Sequence, residues 1–188
     1  MAAKQAVFFD YGGTLSPSAA FDVPSERAAD AISAVNRADL LAVVVSNQKG
    51  VAQARLTWKD LLRKRDAAVA YLNERGAMVD AWYFCPHDPG EGCACRKPAP
   101  GLLLAAAREL GIDLRASAVI GDRDDRDVAA GRAVGALTAL ILRDHKSTRG
   151  GIAPDVVGPD VLAVTHDVVA RLSASRGSST DRPGGPSG

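Results

Sequence analysis

Five short runs constrain this chain more than any other feature: "AVFFD" (6–10), "LAVVVSN" (41–47), "AWYFCP" (81–86), "SAVIGD" (117–122) and "ALTALIL" (136–142). Each is rich in β-branched or aromatic residues and almost continuously apolar. A strand with one face in water would alternate. Continuous apolarity requires cover on both faces, the condition of a parallel sheet between helices. Helical periodicity fills the gaps at 25–36, 57–75, 100–110 and 127–134, with Gly76, Gly111 and Gly135 placed as helix terminators. A last helix is expected over about 160–173. Strand–helix alternation of this kind predicts an α/β domain, a parallel sheet with helices on both faces.

Residues 1–175 read as one domain, since 188 residues allow one sizeable core and are short for two. The longest insertion between strands, 48–80, is mostly one helix and leaves no room for a large cap. The stretch 176–188, "RGSSTDRPGGPSG", is rich in Gly, Ser and Pro and is expected to be disordered. With 47% apolar and 24% charged residues the composition is that of a soluble protein, and no run is long enough to span a bilayer. The polar start "MAAKQ" is no signal peptide, so a cytoplasmic location is expected. A monomer is expected too. A net charge of +1, nine aromatic residues and no basic stripe argue against nucleic acid as a substrate.

Ligands of an open parallel sheet bind outside the carboxyl ends of its strands. Here those ends read Asp10, then Ser46-Asn47, then the stretch holding Arg96-Lys97, then Asp122. Asp or Ser is ordinary at one strand end; a nucleophile candidate, a hydroxyl, a cation pair and a second carboxylate on one edge are not. A carboxylate and a phosphoryl group repel, and their approach requires a divalent cation and a lysine. In "FFDYGGTL" (8–15), Gly12 and Gly13 let the backbone turn sharply beside Asp10 and bring amides toward such a group. The fourth run continues into "GDRDDRDVAAGRAVG", where the spacing makes Asp122 a metal-ligand candidate and Asp127 its supporting carboxylate. Asp124 and Asp125 crowd the same loop, and the spacing leaves open which acid takes the second role. A solvated turn opening a helix is the plainer alternative, because the helix dipole favours acids there.

All three cysteines lie in "CPHDPGEGCACRKP", and an odd count argues against a disulfide framework. Cys85, His87, Cys93 and Cys95 form a Cys₃His set, which suits a closed, tetrahedral, structural Zn²⁺ site. A closed set leaves no open position for catalysis. Its work would be to fix the loop that delivers Arg96 and Lys97.

The ordered strand ends resemble the haloacid dehalogenase (HAD) superfamily of phosphohydrolases over about residues 6–143. The resemblance implies a Rossmann-like HAD fold and three catalytic residues. Asp10 would accept the phosphoryl group as an aspartyl phosphate, Ser46 would bind its oxygens, and Lys97 would neutralise charge between them. It also implies Mg²⁺ held by Asp10, a backbone carbonyl near Gly12, and Asp122 with Asp127 in support. "CPH…CxCRKPxPG" with "SNQKGVA" is similar to the zinc-containing histidinol-phosphatase and D,D-heptose 1,7-bisphosphate phosphatase group. That implies a capless enzyme acting on a small phosphorylated metabolite, with Arg96, Asn47 and Gly13 at the substrate and Lys49 and Arg55 near the mouth. His145 and His166 fall outside every motif, and the charges of 57–75 read as a solvated face.

One position departs from the group. The second residue after the nucleophile is Asp in that family and Gly12 here. That acid protonates the leaving alkoxide and then activates water, help worth about 10²–10⁴-fold. Three accounts follow: a phosphatase whose proton transfers use another group, such as Asp124 or Asp125; a protein that binds a phosphorylated metabolite with little turnover; and different chemistry on a phosphoryl group. Tyr11 is a poor substitute, since successive strand residues face opposite ways.

Overall fold

The computed structural model describes residues 3–18, 23–142 and 148–177. The five apolar runs become strands β1 (Ala6–Phe9), β2 (Leu41–Asn47), β3 (Ala81–Cys85), β4 (Ala118–Gly121) and β5 (Leu137–Ile141). A sixth strand, β6 (Val156–Gly158), was not expected; three residues between Pro154 and Pro159 are too few to show a period. All strands pair in parallel, in the order β3-β2-β1-β4-β5-β6. The chain builds outward from β1 to β3, then returns to the other side of β1 for β4. Between β1 and β4 lies the point where strand order reverses, the place such sheets offer to ligands.

Burial on both faces follows the continuous apolarity of the runs. Val7 and Phe9 face helices α1 (Glu26–Arg37), α2 (Trp58–Asn73) and α5 (Val161–Gly177), packing with Ile32, Leu61, Leu72 and Val168. Ala6 and Phe8 face α3 (Gly101–Leu110) and α4 (Ala129–Ala133), packing with Leu102, Leu103 and Ala130. Ser25 and Thr57 cap α1 and α2 by accepting from the amides of Ala28 and Asp60. Among the described residues no inserted domain interrupts the sheet or covers the edge carrying the strand ends. Helix α4 starts later than its periodicity suggests, because residues Asp124–Val128 form a π-helical turn first. Helix α5 runs on to Gly177, so Arg176 lies in it rather than in the tail; the tail's remaining residues, and His145, lie outside the described residues. Among the described residues no helix is long and apolar enough to cross a membrane.

At the opposite edge, amides in the first two residues of three strands are taken by side chains. Ser117 Oγ accepts from Ala6 N, Asp80 Oδ2 from Ala42 N, and Asp155 Oδ2 from Thr138 N at 3.0, 2.8 and 2.8 Å. Asp155 also accepts from Thr138 Oγ1 and pairs with Arg132 at 2.8 Å. Burial opposes its charge, but the Thr138 bonds and Arg132 hold its carboxyl below the usual range. Asp155→Ala should therefore lower unfolding stability by about 1–3 kcal/mol at neutral pH. The deficit should narrow as pH falls through the carboxylate range, where the wild-type acid is protonated too. Denaturant titrations at two pH values would check both; a deficit indifferent to pH would separate the effect from charge.

Candidate active site

Each strand of the central three delivers one polar group to the switch point. Asp10 follows β1, with its amide donating to Ile120 O of β4 at 2.9 Å. Ser46 and Asn47 close β2, and Asp122 follows β4. Lys97 comes from the loop after β3 and lies almost wholly buried. Its ammonium donates to Asp10 Oδ1 and Asp127 Oδ1 at 2.7 Å each, and to Val45 O at 2.8 Å. Asp127 turns its second oxygen to the amide of Arg123, at 3.2 Å.

These residues surround a cavity of about 180 Å³ that Gly12, Gln48, Arg123 and Arg126 also line. Oxygens of Asp10, Asp122 and Asp127 come within 4.8 Å of one another, a hard-oxygen set of the kind Mg²⁺ takes. Of the three loop acids left open by spacing, Asp127 is the one that joins this cluster. Three carboxylates thus share one ammonium. Burial drives the Asp10 carboxyl up to about 6; Lys97 pulls against that and Asp127 adds to it. Burial, then the charges of Asp10 and Asp127, raise Asp122 to about 7. For Lys97 burial works the other way, but the two carboxylates outweigh it and hold the ammonium above its usual value. Charge density of this kind is what a divalent cation relieves.

Gly13 shapes the cluster by lacking a side chain. Its φ is +86°, its amide closes the turn on Ser16 O, and a Cβ there would stand 2.2 Å from Asp122 Oδ2. Ser46 Oγ accepts from Gln48 Nε2 at 2.9 Å, which leaves its own proton to donate into the cavity. Asn47 grips the lysine backbone, accepting from Lys97 N and donating to Lys97 O, both at 3.0 Å. The two other loop acids are committed elsewhere. The Asp124 carboxylate accepts from the amides of Asp125, Arg149 and Gly150. Burial alone would raise it, but those amides hold it below the usual range. Asp125 takes Arg123 in a two-bond pair at 2.9 and 2.6 Å. Tyr11 is buried in the core against Trp82. Lys49, Arg55 and His166 are exposed.

Below Lys97 the cysteine loop is closed. Cys85 and Cys95 Sγ each lie 3.6 Å from Cys93 Sγ, and His87 Nδ1 lies 3.5 and 3.2 Å from Cys85 and Cys95. A tetrahedral ion with Zn–S bonds of ~2.3 Å sets sulfurs ~3.8 Å apart. The donor set and spacing therefore fit Zn²⁺. Arg96 donates to His87 O at 3.1 Å and lines a neighbouring cavity with Arg126. A larger groove of about 1060 Å³ opens at the opposite edge of the sheet, far from this chemistry, among Lys4, Asn36 and Arg115. Arg123, Arg126 and Gln48 are the site residues that sequence reasoning missed; the two arginines were visible only as charges in a crowded turn.

A HAD-hydrolase-like family model matches residues 94–164. A probable D-glycero-D-manno-heptose-1,7-bisphosphate 7-phosphatase of Thermoplasma acidophilum is 42% identical over 93 residues, half of this chain and 58% of that protein. The D-glycero-beta-D-manno-heptose-1,7-bisphosphate 7-phosphatase of Yersinia pestis is 36% identical over 138 residues, 69% of this chain and 73% of that protein. Among solved structures, the D,D-heptose 1,7-bisphosphate phosphatase of B. bronchiseptica, complexed with magnesium and phosphate, superposes with a TM-score of 0.80. It is 28% identical and covers 89% of this chain and 99% of its own.

Lys97→Met removes the one ammonium between Asp10 and Asp127. Breaking a buried pair from one side costs about 3–5 kcal/mol, chiefly by stranding the charges left behind. The expected loss should be recovered in part by Asp127→Asn in the same chain. Chemical unfolding of the single and double variants would decide it, and additive losses would deny that the lysine's role is electrostatic.

Proposed function

The chain belongs to the HAD-like phosphatases, in the group of the heptose-1,7-bisphosphate 7-phosphatases, and from that membership we propose that it hydrolyses a small phosphorylated metabolite through Asp10. The observation that carries this reading is the position of Asp10 at the switch point, with one oxygen on Lys97 and a hydroxyl and two arginines around the same cavity. An Asp10 oxygen would attack phosphorus and give an aspartyl phosphate, which water then cleaves. The Ser46 hydroxyl and Lys97 would hold the phosphoryl oxygens during transfer. Asn47 acts through Lys97, by fixing the backbone from which the ammonium reaches. Arg96 and Arg126 offer cations to the remainder of an anionic substrate.

Asp10 and Asp122, with the carbonyl of Gly12 and support from Asp127, would hold Mg²⁺, which when bound offsets the repulsion between carboxylate and phosphate. Cys85, His87, Cys93 and Cys95 would hold Zn²⁺ as an architectural ion. The names of the relatives favour a phosphorylated sugar, and a heptose bisphosphate is the substrate to try first. Gly12 supports a second reading, a protein that binds such a metabolite and turns it over poorly.

Two measurements test these assignments. Phosphate release from 4-nitrophenyl phosphate should require Mg²⁺ and fall by on the order of 10³-fold or more in Asp10→Asn. Equal rates in the two proteins would dismiss the nucleophile, and inactivity of both would favour the binding reading. Protein purified without added zinc should carry about one zinc per chain, and Cys95→Ser should lose it and unfold at a lower temperature. A zinc-free protein that melts like Cys95→Ser would rule the ion out.

A further inference from the structure

We infer that this site takes phosphoryl groups from oxygens that leave as stable anions, acyl phosphates and phosphoric anhydrides above all, rather than from unactivated alcohols. The inference rests on the phosphatase reading above and departs from its first substrate, since the primary phosphate of a sugar is the ester of an unactivated alcohol. It is carried by the fate, among the described residues, of each acid near the cavity that could protonate a leaving oxygen. Position 12, two residues past the nucleophile and on the cavity wall, has no side chain. Asp10 is the attacking group and Asp122 belongs to the metal cluster. Asp127 is spent on Lys97 and the Arg123 amide. Asp124 is turned to the amides of Arg149 and Gly150, and Asp125 is held by both arms of Arg123. Tyr11 is wholly buried in the core. Lys97 is already committed to Asp10, Asp127 and the Val45 carbonyl. Among the described residues of the cavity, what remains is a serine, two amides and two arginines, with no further carboxyl, imidazole, thiol or phenol.

The bond changes follow. An Asp10 oxygen forms a bond to phosphorus, the bond from phosphorus to the leaving oxygen breaks, and the electron pair departs on that oxygen without a proton from the protein. An alkoxide leaves badly under those terms, whereas a carboxylate, phosphate or phenolate leaves well. In the second step water attacks phosphorus, the bond to Asp10 breaks and returns the carboxylate, and the water's proton passes to solvent and phosphate. The missing acid is also the missing base of that step. With an activated donor the first step is fast and the second is not, so phosphorylated Asp10 accumulates.

The backbone permits the direct test. Of the two adjacent glycines only Gly13 takes a positive φ, so position 12 is open to a side chain without backbone strain. The leaving-group series would be 2,4-dinitrophenyl, 4-nitrophenyl and phenyl phosphate with a primary alkyl phosphate, all with Mg²⁺. First-turnover release would be read in wild type, Gly12→Asp, Gly12→Asn and Asp10→Asn. The wild type should give a burst approaching one leaving group per chain with the most activated ester, a phosphate on Asp10 by mass spectrometry, and a steep fall along the series. The ratio of Gly12→Asp to wild type should grow from a few-fold to about 10²–10⁴-fold at the alkyl end. Gly12→Asn fills the position without an acid, so the ratio of Gly12→Asp to Gly12→Asn should widen along the series as the ratio to wild type does. A flat ratio, or ready wild-type release from the alkyl phosphate, overturns the inference and leaves the phosphatase reading standing. If even the dinitrophenyl ester reacts no faster than in Asp10→Asn, the phosphatase reading itself falls. Should Gly12→Asp fail to fold, the steepness of the wild-type series still decides.

Discussion

The ammonium of Lys97 holds this site together. It is buried at the carboxyl edge of the sheet, where a lone cation would be expensive, and it survives there because two carboxylates and the Val45 carbonyl surround it. The dependence runs both ways. Asp10 and Asp127 come from different strand ends and would repel one another without it, and Asp122 completes a cluster in which carboxylates outnumber cations three to one. Burial first, and then the same imbalance, raise the carboxyls of Asp10 and Asp122. A fold that keeps such a cluster forgoes stability for chemistry, since apolar residues would fill this edge with less strain.

What brings the lysine to that point is covalent order as much as charge. The cysteine loop ends at Cys95, two residues before Lys97, and its four donors are already gathered at tetrahedral spacing. Asn47 then fixes the lysine backbone from the neighbouring strand through two bonds. The adjoining chain is tied down too: Gln48 N donates to Cys85 O, and Ala52 N to Pro86 O. A loop with two prolines and two glycines has little helix or strand of its own to resist motion. The Asn47 amide clamp supplies that resistance, and an ion on the four donors would add to it.

Strands β1 to β5 and the core they fill were legible because parallel strands carry their signal in each residue; β6 was not, because three residues carry too little. Asp10, Ser46 and Asp122 were legible as candidates because topology brings strand ends together, whereas Lys97, well past the end of β3, was singled out by the resemblance of its loop. The limits of sequence showed in the turn after β4. Four acids and two arginines stand within residues 122–127, and spacing cannot say which pair is formed. The π-helical geometry of Asp124–Val128 decides that, turning Asp127 inward, Asp124 toward the segment at 149–150, and Arg126 onto the cavity wall. Asn47 illustrates a related limit. Its place at a strand end marks it as part of the site, while its bonds to a residue fifty positions away are visible only in three dimensions.

Gly12 is best understood against that crowded charge. A carboxylate at position 12 would be a fourth on a cavity whose cations are Lys97, Arg123 and Arg126, with Arg123 already neutralised by Asp125. Its omission lowers the density of negative charge, and with it the penalty for bringing a phosphoryl dianion toward Asp10. Ground-state binding therefore gains from the same change that deprives the transition state of a proton. For an alcohol leaving group the second effect dominates, because the whole burden of the departing alkoxide falls on a site with nothing to give it. For a leaving group already stable as an anion the proton is worth little, and the gain in binding is retained. On the proposed phosphatase reading, one missing side chain would thus shift the balance of the site from general acid catalysis toward recognition of groups that leave unaided.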